Sequence, residues 1–540
     1  MGYFANNCKY KNRKNSDNVD LKSNVLDLPL TSEEEDLLNI EIYQKGLIDY
    51  IKNADMPITL AIQGGWGSGK TSLMNVFYDN LCKYNNPLFY GIRVNTWHYS
   101  LLSTTQQAVV GILKSIIEQI NSFQPDKELG NKALEVLMRA LIVGAKFVYD
   151  VADQVYLDGT LKNSGWDSNT VQKEFSYIKN GNDTENSDNT DETSDSAIVE
   201  QLKKEIDRLV HHTLILNNEC RYCHNGDCEY KTIANNFRYT GEKKGFIFFI
   251  DDLDRIDPSL AVEILEIIKN LFDLPYCIFV LAVDYSIIVK GLEPKLGELK
   301  PNNAHKFRRY FDKLVQLPIT IPTELYHIQS LLGCGLSDVG FLNNDLLQDD
   351  AFILKLCEIT EKSVGKNPRS VKRLINTISL IDKIILKSLE TLKVILDIDE
   401  IKSNREYRTL VFILACIQIA YPFIYKVILK YPDVSGWNND IAMRLEVPHI
   451  DHDLFSVFRR TENNDKYSYL KMPSCCQEWE EVLFGICGLE SHLRENFFNI
   501  LVILNEFNTI SKQKMFSSDQ KWDLVIPYML YPMLITEINI

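Results

Sequence analysis

Apolar residues recur at helical intervals through residues 36–51, DLLNIEIYQKGLIDYI, and Ser32 and Glu35 stand ahead of them at capping-box spacing. The spacing then closes into a continuous apolar run, ITLAIQ, bounded by Pro57 and Gly64, which is the pattern of a buried strand. A second strand is predicted over 88–97, LFYGIRVNTW, where aromatic and β-branched residues dominate and Pro87 marks the start. Helical spacing returns over 104–119. After a long interruption the apolar text resumes at GFIFFIDDLDRIDP. It continues through a helix over 259–271, a strand YCIFVLAV, a helix after Asp284 and a strand over 314–321. Strand and helix in this rhythm predict an α/β fold, a parallel sheet covered on both faces. Beyond Glu324 the spacing is helical, with helices expected at 325–333, 344–359, 369–386 and 404–425.

The interruption, 149–244, reads as an insertion. Its segment Asn180 to Ala197 holds six acids and no base, the composition of a flexible acidic excursion. With 540 residues, 45% apolar and 24% charged, the chain has the composition of a multidomain globular protein. The expected organisation is a flexible N-terminus over 1–26 and a core made of 27–148 and 245–324. A helical lid over 325–400 and a C-terminal helical, partner-binding domain over 401–540 follow. The balance of 58 Lys and Arg against 73 Asp and Glu, net −15, removes whole-chain steering toward nucleic acid or anionic lipid. A nucleic-acid contact needs a local basic patch, and no recognition motif marks one. The longest apolar stretch, Leu410 to Tyr425, has 16 residues and contains Gln418 and Pro422, so it reads as a core helix and not as a membrane span. Twelve cysteines without the spacing of a disulfide scaffold, and an N-terminus without a signal-peptide core, lead to the expectation of a reduced cytoplasmic protein.

Gly64-Gly65-Trp66-Gly67-Ser68-Gly69-Lys70-Thr71 fits G-x-x-x-x-G-K-[ST] at every fixed position, between a predicted strand and a predicted helix. Glycines there let consecutive amides curl around a phosphate, Lys70 bridges the β- and γ-phosphates, and the Thr71 hydroxyl ligates Mg²⁺, with Ser72 next to it. Such a site also needs a carboxylate at the end of a buried strand, expected here beside the first one. Phe246 to Ile250 is that strand, and it ends in Asp251 and Asp252, a metal-holding acid and a water-orienting acid. Arg308 and Arg309 in HKFRRYFDK, and Arg369 in NPRSVKRLIN, are candidates to place charge on a transferring phosphoryl group. Arg308 or Arg309 would reach a neighbouring subunit and Arg369 would act in cis. Arg255, one turn beyond Asp252, is positioned either for the same work or to tie the strand end to an acid.

These segments, with RVNTWHYS, FVLAVDYSII and FDKLVQLPITIPT, appear in an order that resembles the KAP-family P-loop NTPases over about residues 27–380. The resemblance implies a P-loop NTPase sheet of the additional-strand type with a following helical domain, and ATP as substrate. It implies Lys70 and Thr71 as phosphate and magnesium residues, Asp251 and Asp252 as metal and water residues, and Arg255 as the arginine that closes DDLDR. Asn95 and Trp97 match an NxW element expected to brace the phosphate loop, and Arg369 a sensor-like arginine. Many family members carry transmembrane helices between the two nucleotide motifs; the 180-residue interval from Thr71 to Asp251 holds none. Span-free bacterial members resemble subunits of multi-gene antiphage systems. The implied partners are therefore other proteins of such a system or further copies of the chain.

Cys220, Cys223 and Cys228, with His224 as a candidate fourth ligand, suit a structural Zn²⁺ site, plain reduced thiols or a redox pair. The functional reading is Mg-dependent ATP hydrolysis that drives conformational or assembly switching. A nucleotide-binding scaffold with little turnover and a DNA-associated ATPase are the alternatives.

Overall fold

The two most apolar runs of the chain become the middle strands of a five-stranded parallel sheet. The computed structural model describes residues 22–30, 36–83, 87–100, 105–123, 131, 195–214, 243–391, 403–447 and 477–512. Strands β1 (Ile58–Gln63), β2 (Phe89–Asn95), β3 (Gly245–Asp251), β4 (Cys277–Val283) and β5 (Leu317–Thr320) stand in the order β2-β3-β4-β1-β5. Every pairing between neighbours is parallel. β3 and β4 are buried almost end to end, as near-continuous apolar strands in a sheet covered on both faces must be. The edge strands carry what an interior strand would not tolerate: Arg93 is exposed in β2, and Pro318, without an N–H to give a ladder, sits in β5.

One expectation is corrected by this order. The acid-bearing strand β3 does not lie beside β1, because β4 inserts between them. Alternating apolar runs show that strands exist but not their spatial sequence, which is set by crossover connections. The chain leaves β1 for the far edge, returns through β3 and β4, and adds β5 on the other side of β1. β1 is therefore the switch point, where open α/β sheets keep a crevice at the carboxyl ends of the strands.

Two compact units divide the chain: 41–321 with 29–34, and 322–540 with 1–28 and 35–40. In the first, helices α1 (Glu41–Asn53), α2 (Lys70–Tyr78), α3 (Trp97–Ser100), α4 (Thr105–Ser122), α5 (Asp195–Leu214), α6 (Pro258–Phe272), α7 (Tyr285–Leu296) and α8 (Ala304–Leu314) accompany the sheet. Their core is aromatic where β3 meets β4, with Phe248 and Phe279 stacked at 4.6 Å between ring centroids. α5 comes from the stretch read as an insertion. Leu202, Ile206, Leu209 and Val210 enter the same core, a helical stripe that the surrounding polar text conceals. α1 begins at Glu41, not near Asp36, because the Asp36 carboxylate accepts from the amides of Leu38 and Ile40 in a local turn. The expected capping pair Ser32 and Glu35 lies outside the described residues, as does most of the acidic segment 180–197.

Among its described residues the second unit has helices and no strand. Gln329–Asp338, Asn344–Gln348, Asp350–Ser363, Pro368–Thr391, Arg405–Ala420, Pro422–Lys430, Asn439–Arg444, Glu478–Cys487, Ser491–Glu495 and Phe497–Ser511 form helices α9 to α18 in that order. The helix expected over 404–425 is two helices. Pro422 cannot donate to the preceding turn and takes the first position of α14, while Tyr421 leaves helical geometry at φ −134°. Asp349 likewise splits 344–359 by capping α11 through the amide of Phe352. α13 is buried from Tyr407 to Gln418. Among the described residues no helix is long and apolar enough to cross a membrane. Residues 23–28 run along α12. The Asn376 amide makes both backbone bonds to Val25, and Ser379 donates to the carbonyl of Ser23.

Candidate nucleotide site

The six-residue turn from Gln63 to Lys70 folds as it does because glycine stands where the backbone needs it. Gly67 and Gly69 take φ of 80° and 104°, which an L side chain adopts only under strain, and Gly69 delivers the chain into α2. A Cβ on Gly64 would stand 2.5 Å from the Ser68 hydroxyl oxygen, so a side chain there would force Ser68 to move. The amides of Gly64 and Ser68 are bonded to the carbonyls of Val283 and Gly65. Trp66 is 70% exposed on the outside of the turn.

Lys70, at the first position of α2, points back under the loop. Its ammonium donates to the carbonyls of Gly64 (2.8 Å) and Gly65 (3.3 Å) and to Asp254 Oδ2 (2.8 Å). The Thr71 hydroxyl hydrogen-bonds the Asp251 carboxylate. The two halves of the motif, 184 residues apart at Lys70 and Asp254, therefore meet at one place. Ser72 faces elsewhere: its hydroxyl accepts from the amide of Leu30 at 3.0 Å, and Asn75 donates to the carbonyl of the same residue. Ser72 and Asn75 thus fasten Leu30 to α2.

Burial pushes the Asp251 carboxyl above the usual carboxylate range, and the neighbouring Asp252 and Asp254 add to this. The Thr71 hydroxyl and the Asp252 amide, which donates to Asp251 Oδ1 at 2.8 Å, pull it back. Asp252 turns the chain at φ 60°, and both of its carboxylate oxygens are held. Asn95 Nδ2 donates to Oδ2 at 2.7 Å, and Arg255 Nε sits 2.7 Å from Oδ1. Arg255 is in turn 5.3 Å over the ring of Trp97, whose amide donates to Asn95 Oδ1. The register of β2 on β3 produces this cluster, since Asn95 is the direct partner of Asp251. Asn95 and Trp97 were expected to brace the phosphate loop; their contacts brace the acid and its arginine instead.

Three carboxylates, Asp251, Asp252 and Asp254, gather here against the two cations Lys70 and Arg255. The Thr71 hydroxyl and the Asp251 carboxylate bring together oxygen donors of the kind Mg²⁺ takes. No group of three or more His, Cys, Asp or Glu among the described residues is arranged to hold a metal by itself.

The other candidate residues stand on other elements. Arg308 and Arg309 are exposed on α8. Arg369 belongs to the helical unit, at the start of α12, where its Nε meets Asp27 Oδ2 at 2.6 Å. Cys220, Cys223, His224 and Cys228 lie outside the described residues, and with them the Zn²⁺ reading. Asp254 is a site residue that the two motifs do not mark. Its signal in the sequence is a third acid, three positions past Asp251, which the short helical turn Leu253–Arg255 carries to Lys70.

Comparison with known proteins agrees with this geometry. The model of the KAP family P-loop domain matches residues 41–385. The phage T7 exclusion protein of Escherichia coli strain K12 is 26% identical over 136 residues, a segment that is 25% of this chain and 18% of that protein.

Proposed function

The chain belongs to the KAP family of P-loop domains, and from that premise we propose that it binds ATP with Mg²⁺ in the Gly64–Thr71 loop and hydrolyses it to drive a change of conformation or assembly. The observation that carries the reading is the contact of Thr71 with Asp251, backed by Lys70 on Asp254, which joins the loop to the acids ending β3. A triphosphate lies on the loop amides and the N-terminal end of α2, whose dipole favours anions. Magnesium, when bound between Thr71 and Asp251, neutralises charge on the phosphate oxygens. Lys70 supplies the second positive charge. Asp252, fixed by Asn95 and Arg255, orients the attacking water and accepts its proton, for which a rigid, ionised carboxylate is suited. Arg255 is committed to Asp252, so the charge that meets the transferring phosphoryl group comes from elsewhere. Arg308 or Arg309 of a neighbouring copy is the proposed source, and Arg369 the proposed reporter in the helical unit.

The relative that excludes a phage supports a role as the ATPase subunit of an antiphage system, with other proteins of that system as partners. Phosphate release by the purified protein tests the chemistry. Wild type should release phosphate only with magnesium, and Asp252→Asn should retain ATP while turnover stops. Absence of magnesium-dependent ATP binding overturns the proposal, binding with no phosphate release above background reduces it to static nucleotide binding, and equal release by both proteins removes Asp252 from the chemistry. Efficiency of plating on cells carrying the chain with its genomic neighbours, wild type against Lys70→Ala, tests the defence role.

A further inference from the structure

An ammonium has three N–H donors, and in Lys70 all three are engaged: two on the loop's own carbonyls, Gly64 and Gly65, and one on Asp254. The pair is buried, with side-chain exposures of 7% and 10%. A buried ammonium without a counter-ion is costly, so Asp254 makes this position of Lys70 tenable before any phosphate arrives. A phosphate in the loop offers the same ammonium a second anion. Asp254 opposes that phosphate twice, once by holding the lysine and once by like-charge repulsion.

We infer that Asp254 is the intramolecular counter-ion of Lys70, a positioning residue that keeps the lysine under the loop and is displaced from it by bound phosphate. The inference rests on the nucleotide reading above and adds a consequence to it. Asp254 lies within the turn Leu253–Arg255, which also carries Arg255 to Asp252 and leads into α6 through Asp257, the residue that caps it. Exchange of Lys70 from Asp254 to phosphate therefore transmits loop occupancy to the turn that positions the water-orienting acid.

The test is fluorescence titration of the full chain with mant-ADP and mant-ATP, in EDTA and in magnesium. Asp254→Asn should bind both nucleotides about tenfold more tightly than wild type, the size of one charge-assisted hydrogen bond lost to a competitor. The gain should appear in EDTA as well as in magnesium, because it concerns the lysine and not the metal. Asp254→Glu, which keeps the charge, should bring affinity back toward wild type. The gain should shrink markedly when Lys70 is Met, because only the like-charge repulsion of Asp254 is then left to relieve. A purely structural role for Asp254 would not couple to Lys70 in this way. Should Asp254→Asn lose soluble expression, Asp254→Ser takes its place. Weaker or unchanged binding in the variant, or a gain that persists undiminished with Met at position 70, overturns the inference while leaving nucleotide binding intact. Wild type that binds neither nucleotide brings down the functional reading itself.

Discussion

Asn95 Nδ2 donates to Asp252 Oδ2 at 2.7 Å, across 157 residues of sequence, and holds the carboxylate on the side opposite Arg255. The edge strand β2 thereby fixes an acid at the end of β3. Removing the amide frees one oxygen of Asp252 but leaves the loop, Lys70 and Thr71 in place.

Asn95→Ala should accordingly lower kcat about tenfold or more, the worth of one hydrogen bond to a charged group. The dissociation constant for ATP should hardly move. Steady-state phosphate release set against mant-ATP titration separates the two, and a matching loss of affinity would contradict this role.

Asp251 sets stability against function. A carboxyl whose folded pKa is raised binds its proton more tightly in the fold, so its stabilising contribution is complete below the unfolded pKa of about 3.9 and is lost as pH rises through the raised value. At neutral pH the ionised, buried Asp251 is a cost. Asp251→Asn should therefore raise the nucleotide-free melting temperature by about 2–4 °C, corresponding to roughly 1 kcal/mol. The difference from wild type should close as pH falls toward about 4. The same variant should lose the magnesium dependence of nucleotide binding. Thermal melts across pH check the first outcome and titration the second.

Arg308 and Arg309 stand exposed on α8, and neither is needed to build the loop. If they act on a neighbouring copy, each inactive parent retains what the other lacks. Mixing Lys70→Ala with Arg308→Ala/Arg309→Ala should restore part of the phosphate release, up to about a quarter of wild type for random dimers. Two inactive parents that stay inactive when mixed would exclude action in trans.

In the helical unit, Arg408 is buried between Asp382, 2.8 Å away, and the ring of Phe341 at 4.6 Å. Asp382→Ala leaves that guanidinium without its carboxylate in the interior. The expected cost is about 3 kcal/mol or more. Replacing Arg408 and Asp382 together with Met and Leu should cost less than the single change. Denaturant unfolding followed by circular dichroism compares them.

Much of the site was legible because its signals are local. The glycines of the loop answer to backbone dihedrals and the Asp pair follows the apolar run that becomes β3, whereas the single helix expected over 404–425 missed the break at Pro422. α5 was obscured because its apolar stripe, from Leu202 to Val210, lies amid polar text, and a helix of moderate amphipathicity declares itself only when something covers it. Asp254 was obscured for a different reason. In sequence it is one acid among three, and only the φ 60° turn at Asp252 decides which of them meets Lys70.

Short-range physics, acting through periodicity, capping and glycine freedom, was sufficient to place the strands, the loop between β1 and α2, and the acids at the end of β3. Which strand lies beside which, that Asn95 belongs to Asp252, and that Lys70 rests on Asp254 all depend on pairings between residues far apart in the sequence, 157 positions in the second case and 184 in the third. Such pairings are selected by packing the whole sheet against its helices, and no local pattern of residues encodes them.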